Sequence, residues 1–244
     1  MIKAEIPNAL TLCNLLCGAV AIYFISSGMA ATASVLLLAA AGFDFFDGFA
    51  ARPLGVSGAM GKELDSLADV ISFGLAPAFL AIYLAGAFSE TPEWTNFLPL
   101  IMAAAAAYRL AKFNLDERQT YGFIGMPTPA NALFWLSFPL MAEASPAFPW
   151  LGELFLQFTS SALAIAAVAL VASWLMISEL PLIALKFENY GWASNKARYT
   201  LIFGSVLLFI ALRFYALPII VILYILISIV DRSLKQKHGI HRRN

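Results

Sequence analysis

Four aspartates carry the chemistry that this sequence can do. Asp44 and Asp47 lie three residues apart, and Asp65 and Asp69 lie four apart. Either spacing puts both carboxylates on one face of a helix. Ionisable groups inside apolar sequence are costly, so they are expected to face a cavity and to have a function. The first pair ends one apolar stretch and the second begins the next, and the short connection predicts that all four meet in one pocket. Carboxylates so close repel one another unless a cation neutralises them. Hard oxygen ligands without His or Cys select Mg2+ or Mn2+ over zinc, and four of them can hold two ions. Such ions suggest a phosphate-bearing substrate. Gly48, Ala51 and Gly61 lack bulk, so a nucleotide or phosphate can approach the backbone there, and Arg52 can pair with phosphate oxygens. Acids merely exposed at helix ends would explain neither the two same-face pairs nor the small residues between them.

The elements that hold these residues are read from hydropathy. Of 244 residues, 61% are hydrophobic and 12% charged, more apolar than a soluble domain of this length needs. The run from Ile6 to Phe43 has no charge before Asp44. A span needs ~20 mostly apolar residues, and the pattern predicts an all-α integral membrane protein, a polytopic helical bundle. About eight transmembrane helices are expected, near 8–27, 30–51, 63–87, 95–114, 129–143, 159–178, 198–213 and 215–231, with six as the alternative count.

Charge placement predicts the orientation. With the amino terminus inside, Lys3, Arg52, Lys62, Lys112, Arg118, Lys186, Lys196, Arg198 and the basic tail 232–244 fall on one side. The other side carries Glu90, Glu93, Glu143 and Glu153, with Arg213 its only cation. Lys and Arg asymmetry of this kind sets orientation, so both termini are expected in the cytoplasm and the aspartates at the cytoplasmic face of the cell membrane. The sequence predicts a single domain over 1–244, no cleavable leader and no nucleic-acid partner. Cys13 and Cys17, four apart on the first helix, are expected to pack as small apolar residues. The tail, with His238 and His241, reads as a topology anchor that favours anionic membrane lipids.

The aspartates and their neighbours match D-x2-D-G-x2-A-R-x8-G-x3-D-x3-D at Asp44, Asp47, Gly48, Ala51, Arg52, Gly61, Asp65 and Asp69. On this signature the chain resembles the CDP-alcohol phosphotransferases. The resemblance implies that Asp44, Asp47 and Asp65 are principal metal ligands. It also implies that Asp69 joins the metal site and acts as the base that activates an alcohol hydroxyl. Gly48, Ala51, Arg52 and Gly61 would line the cytidine diphosphate site, with Asn8 and Thr11 beside the nucleotide, and a homodimer would form. On the residues alone, Pro7-Asn8 could instead simply start the first helix.

Outside the signature the chain is similar to bacterial members of that family that use CDP-diacylglycerol as donor and L-serine as acceptor. The similarity rests on Ile6 to Asn14 with Gly18, Tyr108 to Asn114, Phe123 to Pro129, and Ser178 to Pro181. Those members often carry Arg where Lys112 stands and Leu where Met126 stands. Members that take phosphorylated alcohols usually carry a basic residue where Asn14 stands, so Asn14 argues against such an acceptor. Arg109 either snorkels to the interface or meets the acceptor carboxylate or a lipid phosphate, and Asn114 is an expected acceptor contact. Gly125 to Pro129 shapes the turn into the fifth span. The implied reaction moves the phosphatidyl group to serine and releases CMP. The alternatives are the same chemistry on glycerol phosphate, inositol phosphate or choline, and, in a different class, a carboxylate-lined metal-ion transporter. A transporter would place acids near the midplane with routes to both faces.

Overall fold

The computed structural model describes residues 2–54, 58–87, 93–115, 123–144, 148–183 and 191–240. These form α1 (Ile2–Ser26), α2 (Ala30–Leu54), α3 (Ala59–Asp69), a π-helical segment (Val70–Leu75) and α4 (Ala76–Ala87). There follow α5 (Glu93–Asn96), a 3-10 turn (Leu98–Leu100), α6 (Ile101–Leu115), β1 (Phe123–Ile124), α7 (Thr128–Glu143), α8 (Pro149–Thr159) and α9 (Ala162–Ile177). The chain continues as β2 (Pro181–Leu182), α10 (Trp192–Leu212), a 3-10 turn (Arg213–Tyr215) and α11 (Ala216–Ile240). The protein is therefore a helical bundle, with one two-residue antiparallel ladder between β1 and β2. Each of the eight expected apolar stretches is helical.

By length and composition, four helical stretches suffice to cross a membrane: Glu5–Ser26, Ala30–Ala50, Ala59–Gly86 and Asn195–Arg232. A fifth arises if α8 and α9, bent by 88° at their junction, count as one. The helices α6, α7 and α9 have 15, 16 and 16 residues, about 22 to 24 Å at ~1.5 Å per residue. That is short of the ~30 Å hydrocarbon layer, and these three helices form much of the interior. Outward side chains stay apolar: Leu163 is 70% exposed, Leu207 68% and Ile210 73%. Water would penalise such a surface at ~25 cal/mol per Å2, whereas lipid does not.

The first hairpin delivers the first carboxylates. A Schellman turn ends α1, with the Met29 amide donating to the Phe24 carbonyl (2.8 Å) and the Gly28 amide to Ile25 (3.0 Å). Ala21, Ile25, Ala30, Ala33 and Leu37 then zip α1 to α2 and bury Leu80, Leu136 and Leu140 of α4 and α7 beside them. The helix α1 begins at Ile2, so Pro7 lies inside it rather than at its start.

The third stretch differs from a plain helix. The residues just after Asp69 run as a π-helix, a register that is rare and frequently found at functional sites. Two glycines wedge it in place. A Cβ on Gly18 of α1 would sit 2.7 Å from the Ser72 Cα, and one on Gly74 would sit 2.7 Å from the Ala106 Cβ of α6. Only hydrogen fits at either point, so α1 and α6 press on the π segment from two sides. The Ser72 hydroxyl donates to the Asn14 carbonyl (2.9 Å), and the Asn131 amide nitrogen to the Phe73 carbonyl (3.3 Å). The second cluster of the interior centres on Trp135, Phe138 and Ile165, where α4, α6, α7 and α9 converge.

Candidate active site

Asp44 and Asp47 project from the last turns of α2, and Asp65 from the middle of α3. One carboxylate oxygen from each lies within 4.8 Å of the others. Asp47 is 8% exposed, and Asp44 and Asp65 are half-buried. Asp65 Oδ1 is buried and has no hydrogen-bond partner, so a cation at the trio would satisfy it. Three convergent carboxylates supply only hard oxygen, so the residues present fit Mg2+ or Mn2+ and not a thiophilic metal.

Asp69 stands apart from this trio. It is 7% exposed, one helical turn beyond Asp65 on α3, and it is absent from the mutually close set. Its Oδ1 accepts from Asn14 Nδ2 and its Oδ2 from Thr128 Oγ1, both at 3.4 Å. It remains in electrostatic contact with Asp44, Asp65 and Arg109. The expected single pocket of four acids is thus a close trio with a fourth acid held beside it by two neutral donors.

The structure places the other sequence-derived residues as follows. Thr11 is buried and its hydroxyl has two acceptors in reach, the Pro7 carbonyl at 3.0 Å and Asp47 Oδ2 at 2.6 Å. The shorter, charged partner takes the proton, so Thr11 orients a member of the trio. Asn8, one turn earlier on α1, faces Gly61, whose absent Cβ would meet the Asn8 Oδ1 at 3.4 Å. Gly48 has open space around it. Ala51 and Arg52 continue α2, but their side chains lie outside the described residues, as do Glu90, Arg118, Lys186, His241 and the side chains of the tail beyond Arg232.

Arg109 does not snorkel. It is 6% exposed, with its guanidinium carbon 5.9 Å from the centre of the Phe113 ring. Its charged and polar neighbours are Asp69 and Tyr224. Asn114 ties α6 to α3: its side-chain amide nitrogen donates to Ser66 Oγ (2.9 Å), and its backbone carbonyl accepts from Lys62 Nζ (2.7 Å). Nearby, Lys112 pairs with Glu179 at 3.2 Å. These contacts join α3, α6 and the end of α9 at the aspartate end of the bundle.

Thr128 and Asn131 are the residues that sequence reasoning missed. Both are fully buried on one face of α7. Thr128 reaches Asp69, and Asn131 the π segment that follows it, because the segment before α7 is pinned. Gly125, at φ 78, donates to the Leu180 carbonyl (2.8 Å), and Met126 donates to the Leu175 carbonyl (2.9 Å). A side chain at Gly125 would crowd the Ser178 carbonyl at 3.0 Å. The sequence shows only a Gly/Pro turn there. A hydroxyl 59 positions from Asp69 leaves no signal in local spacing.

Fold and site together define a helical membrane protein with a carboxylate trio, close enough to share a metal ion, at one end of its bundle. Comparison with known families matches residues 4–230 to the CDP-alcohol phosphatidyltransferases. The chain belongs to that family, whose members generally use divalent metals. It is similar to proteins named CDP-diacylglycerol--serine O-phosphatidyltransferase from several organisms. The Bacillus subtilis protein is 37% identical over 124 residues, covering 51% of this chain and 69% of that protein. The Helicobacter pylori (strain ATCC 700392 / 26695) protein is 36% identical over 135 residues, 52% of this chain and 54% of its own length. The Methanocaldococcus jannaschii protein is 41% identical over 96 residues, 39% of this chain and 44% of its own. The chain thus spans about half the length of the latter two.

Proposed function

We propose that the protein transfers the phosphatidyl group of CDP-diacylglycerol to L-serine, forming phosphatidylserine and CMP. The observation that carries this reading is the trio Asp44, Asp47 and Asp65 with Asp69 beside it, in a chain whose relatives bear that activity in their names. Asp44, Asp47 and Asp65 would hold the metal, Mg2+ or Mn2+, with Asp69 closing the position of a second ion. A bound divalent cation supplies charge neutralisation at the diphosphate. Asp69 is the base. It takes the proton of the serine hydroxyl as that oxygen bonds to the lipid-linked phosphorus, and the bond from this phosphorus to the bridging oxygen breaks so that CMP leaves with the electron pair. Asn14 and Thr128 hold both Asp69 oxygens in place for that transfer. The acid itself stays outside the close trio, where a carboxylate is freer to accept a proton.

Asn8, Thr11, Gly48, Ala51, Arg52 and Gly61 form the nucleotide side of this reading, and Arg109 and Asn114 the acceptor side. The protein spans the cytoplasmic membrane several times with both termini and the site in the cytoplasm, and it works as a homodimer. Asn195–Arg232 supports two of those spans: 38 residues would measure about 57 Å as a straight helix, so the break at Arg213–Tyr215 divides it.

The test is CMP release by purified protein in liposomes with CDP-diacylglycerol, Mg2+ or Mn2+, and one alcohol at a time. L-Serine, glycerol 3-phosphate, inositol phosphate and choline form the panel. Release with another alcohol but not with serine refutes the serine assignment. Absence of release with all of them refutes the activity.

A further inference from the structure

We infer that Asn131 is a positioning residue for Asp69: its side-chain amide stands in for the backbone N–H that Pro77 lacks, and so holds the π turn that begins directly after Asp69. The effect on turnover rests on the proposed transfer reaction, whereas the hold on the turn does not.

The first observation is the cause of the wide turn. In an α-helix each N–H donates to the carbonyl four residues back, so the Phe73 carbonyl would pair with the N–H of position 77. That position is Pro77, buried in the first turn of α4. Proline has no N–H, and its ring crowds the carbonyl four residues back. Both effects fall on Phe73. The turn widens around them, and the Ala76 amide reaches back five residues to the Ile71 carbonyl. Phe73 is fully buried, so water cannot serve its carbonyl, and a buried carbonyl without a donor is costly.

The second observation is what takes the missing donor's place. Asn131, itself fully buried, donates from Nδ2 to the Phe73 carbonyl at 3.3 Å. A carbonyl only accepts, so the amide nitrogen and not the oxygen faces it. One turn back on α7, Thr128 donates to Asp69 Oδ2. The helix α7 thus grips both the acid and the turn that follows it. The helix α1 does the same through a single residue: Asn14 Nδ2 donates to Asp69 Oδ1, and the Asn14 backbone carbonyl accepts from Ser72 Oγ. Without the Asn131 donor the Phe73 carbonyl must turn to another partner. The turn then shifts, and Asp69 moves against Thr128 and Asn14. A displacement of about 1 Å can cost on the order of 100-fold in rate, even when the altered residue is remote from the reacting atoms.

The test compares Asn131→Leu, similar in size but without a donor, with wild-type protein in liposomes. It then repeats the comparison in a Pro77→Ala background, where position 77 again has an N–H. In the native background kcat for CMP release should fall at least ~5-fold, while the KM values for serine and CDP-diacylglycerol change little. Amide hydrogen exchange over Val70–Leu75 should quicken. In the Pro77→Ala background the same substitution should cost clearly less, because the backbone supplies the donor. The inference is overturned if folded Asn131→Leu shows a smaller fall in kcat, a loss carried by KM alone, or an equal loss in both backgrounds. Should Asn131→Leu fail to fold, Asn131→Gln and Asn131→Met decide, since they are alike in size and only the first keeps a donor. Equal rates for those two overturn the inference. Exchange is independent of any alcohol, so it separates the two readings. Wild-type protein that releases no CMP with serine refutes the transfer reaction, whereas unchanged exchange in Asn131→Leu refutes the role of Asn131.

Discussion

Thr11 of α1 donates a 2.6 Å hydrogen bond to Asp47 of α2, so a helix that carries none of the four aspartates sets the direction of one of them. A bond this short to an ionised acceptor belongs to the strong class, worth about 1.5 to 3 kcal/mol. Residues that orient metal ligands typically contribute 10- to 100-fold to metal affinity. Thr11→Val is therefore expected to raise the Mg2+ concentration for half-maximal activity about 10-fold or more, with a smaller change at saturating metal. An unchanged Mg2+ titration would show that the contact is incidental.

Asp69→Asn is nearly isosteric and keeps one oxygen acceptor for its neighbours, but it cannot take a proton. Turnover should fall by about 10²- to 10⁴-fold, the usual contribution of a general base, while CDP-lipid binding survives. Binding measured by calorimetry beside the rate separates the two. A near-normal rate would remove Asp69 from the base role.

Chelation with EDTA should abolish CMP release, and Mg2+ or Mn2+ should restore it, since the trio offers only oxygen. Asp44→Ala and Asp65→Ala should stay inactive at any metal concentration. Zinc restoring activity as well as Mg2+ would contradict the ligand chemistry.

Gly18→Ala places a methyl 2.7 Å from the Ser72 Cα. Overpacking of this order costs about 1 to 3 kcal/mol, and the strain falls on the π segment next to Asp69. A lower midpoint of thermal unfolding in detergent and a slower rate are both expected. Gly42→Ala, where nothing lies within 4 Å, is the control and should leave the midpoint unmoved.

Much of this was legible because the signals are local. The aspartate pairs sit at helical spacing, and the apolar runs have the length of spans, so the helices and the trio could be read along the chain. Residues whose roles come from distant segments could not. Thr128 meets Asp69, and Asn131 meets Phe73, because α7 is aimed by the clamp of Gly125 and Met126 onto the end of α9. A turn signal marks the bend but not its direction. Asp69 likewise looks like the fourth member of a set in spacing alone. Its separation from the other three depends on donors supplied by α1 and α7.

The π segment also has a consequence for how this span tolerates change. The wide turn from Val70 to Leu75 takes in one residue more than an α-turn. Removing one residue from that turn would leave hydropathy and span length almost untouched. The turn would then close as an ordinary α-turn with α3 and α4 keeping their phase, but the fit of Ser72 and Gly74 against α1 and α6 would be lost. For this stretch, residue count is therefore as strict a requirement as residue type, and a one-residue deletion would be more damaging than many apolar substitutions.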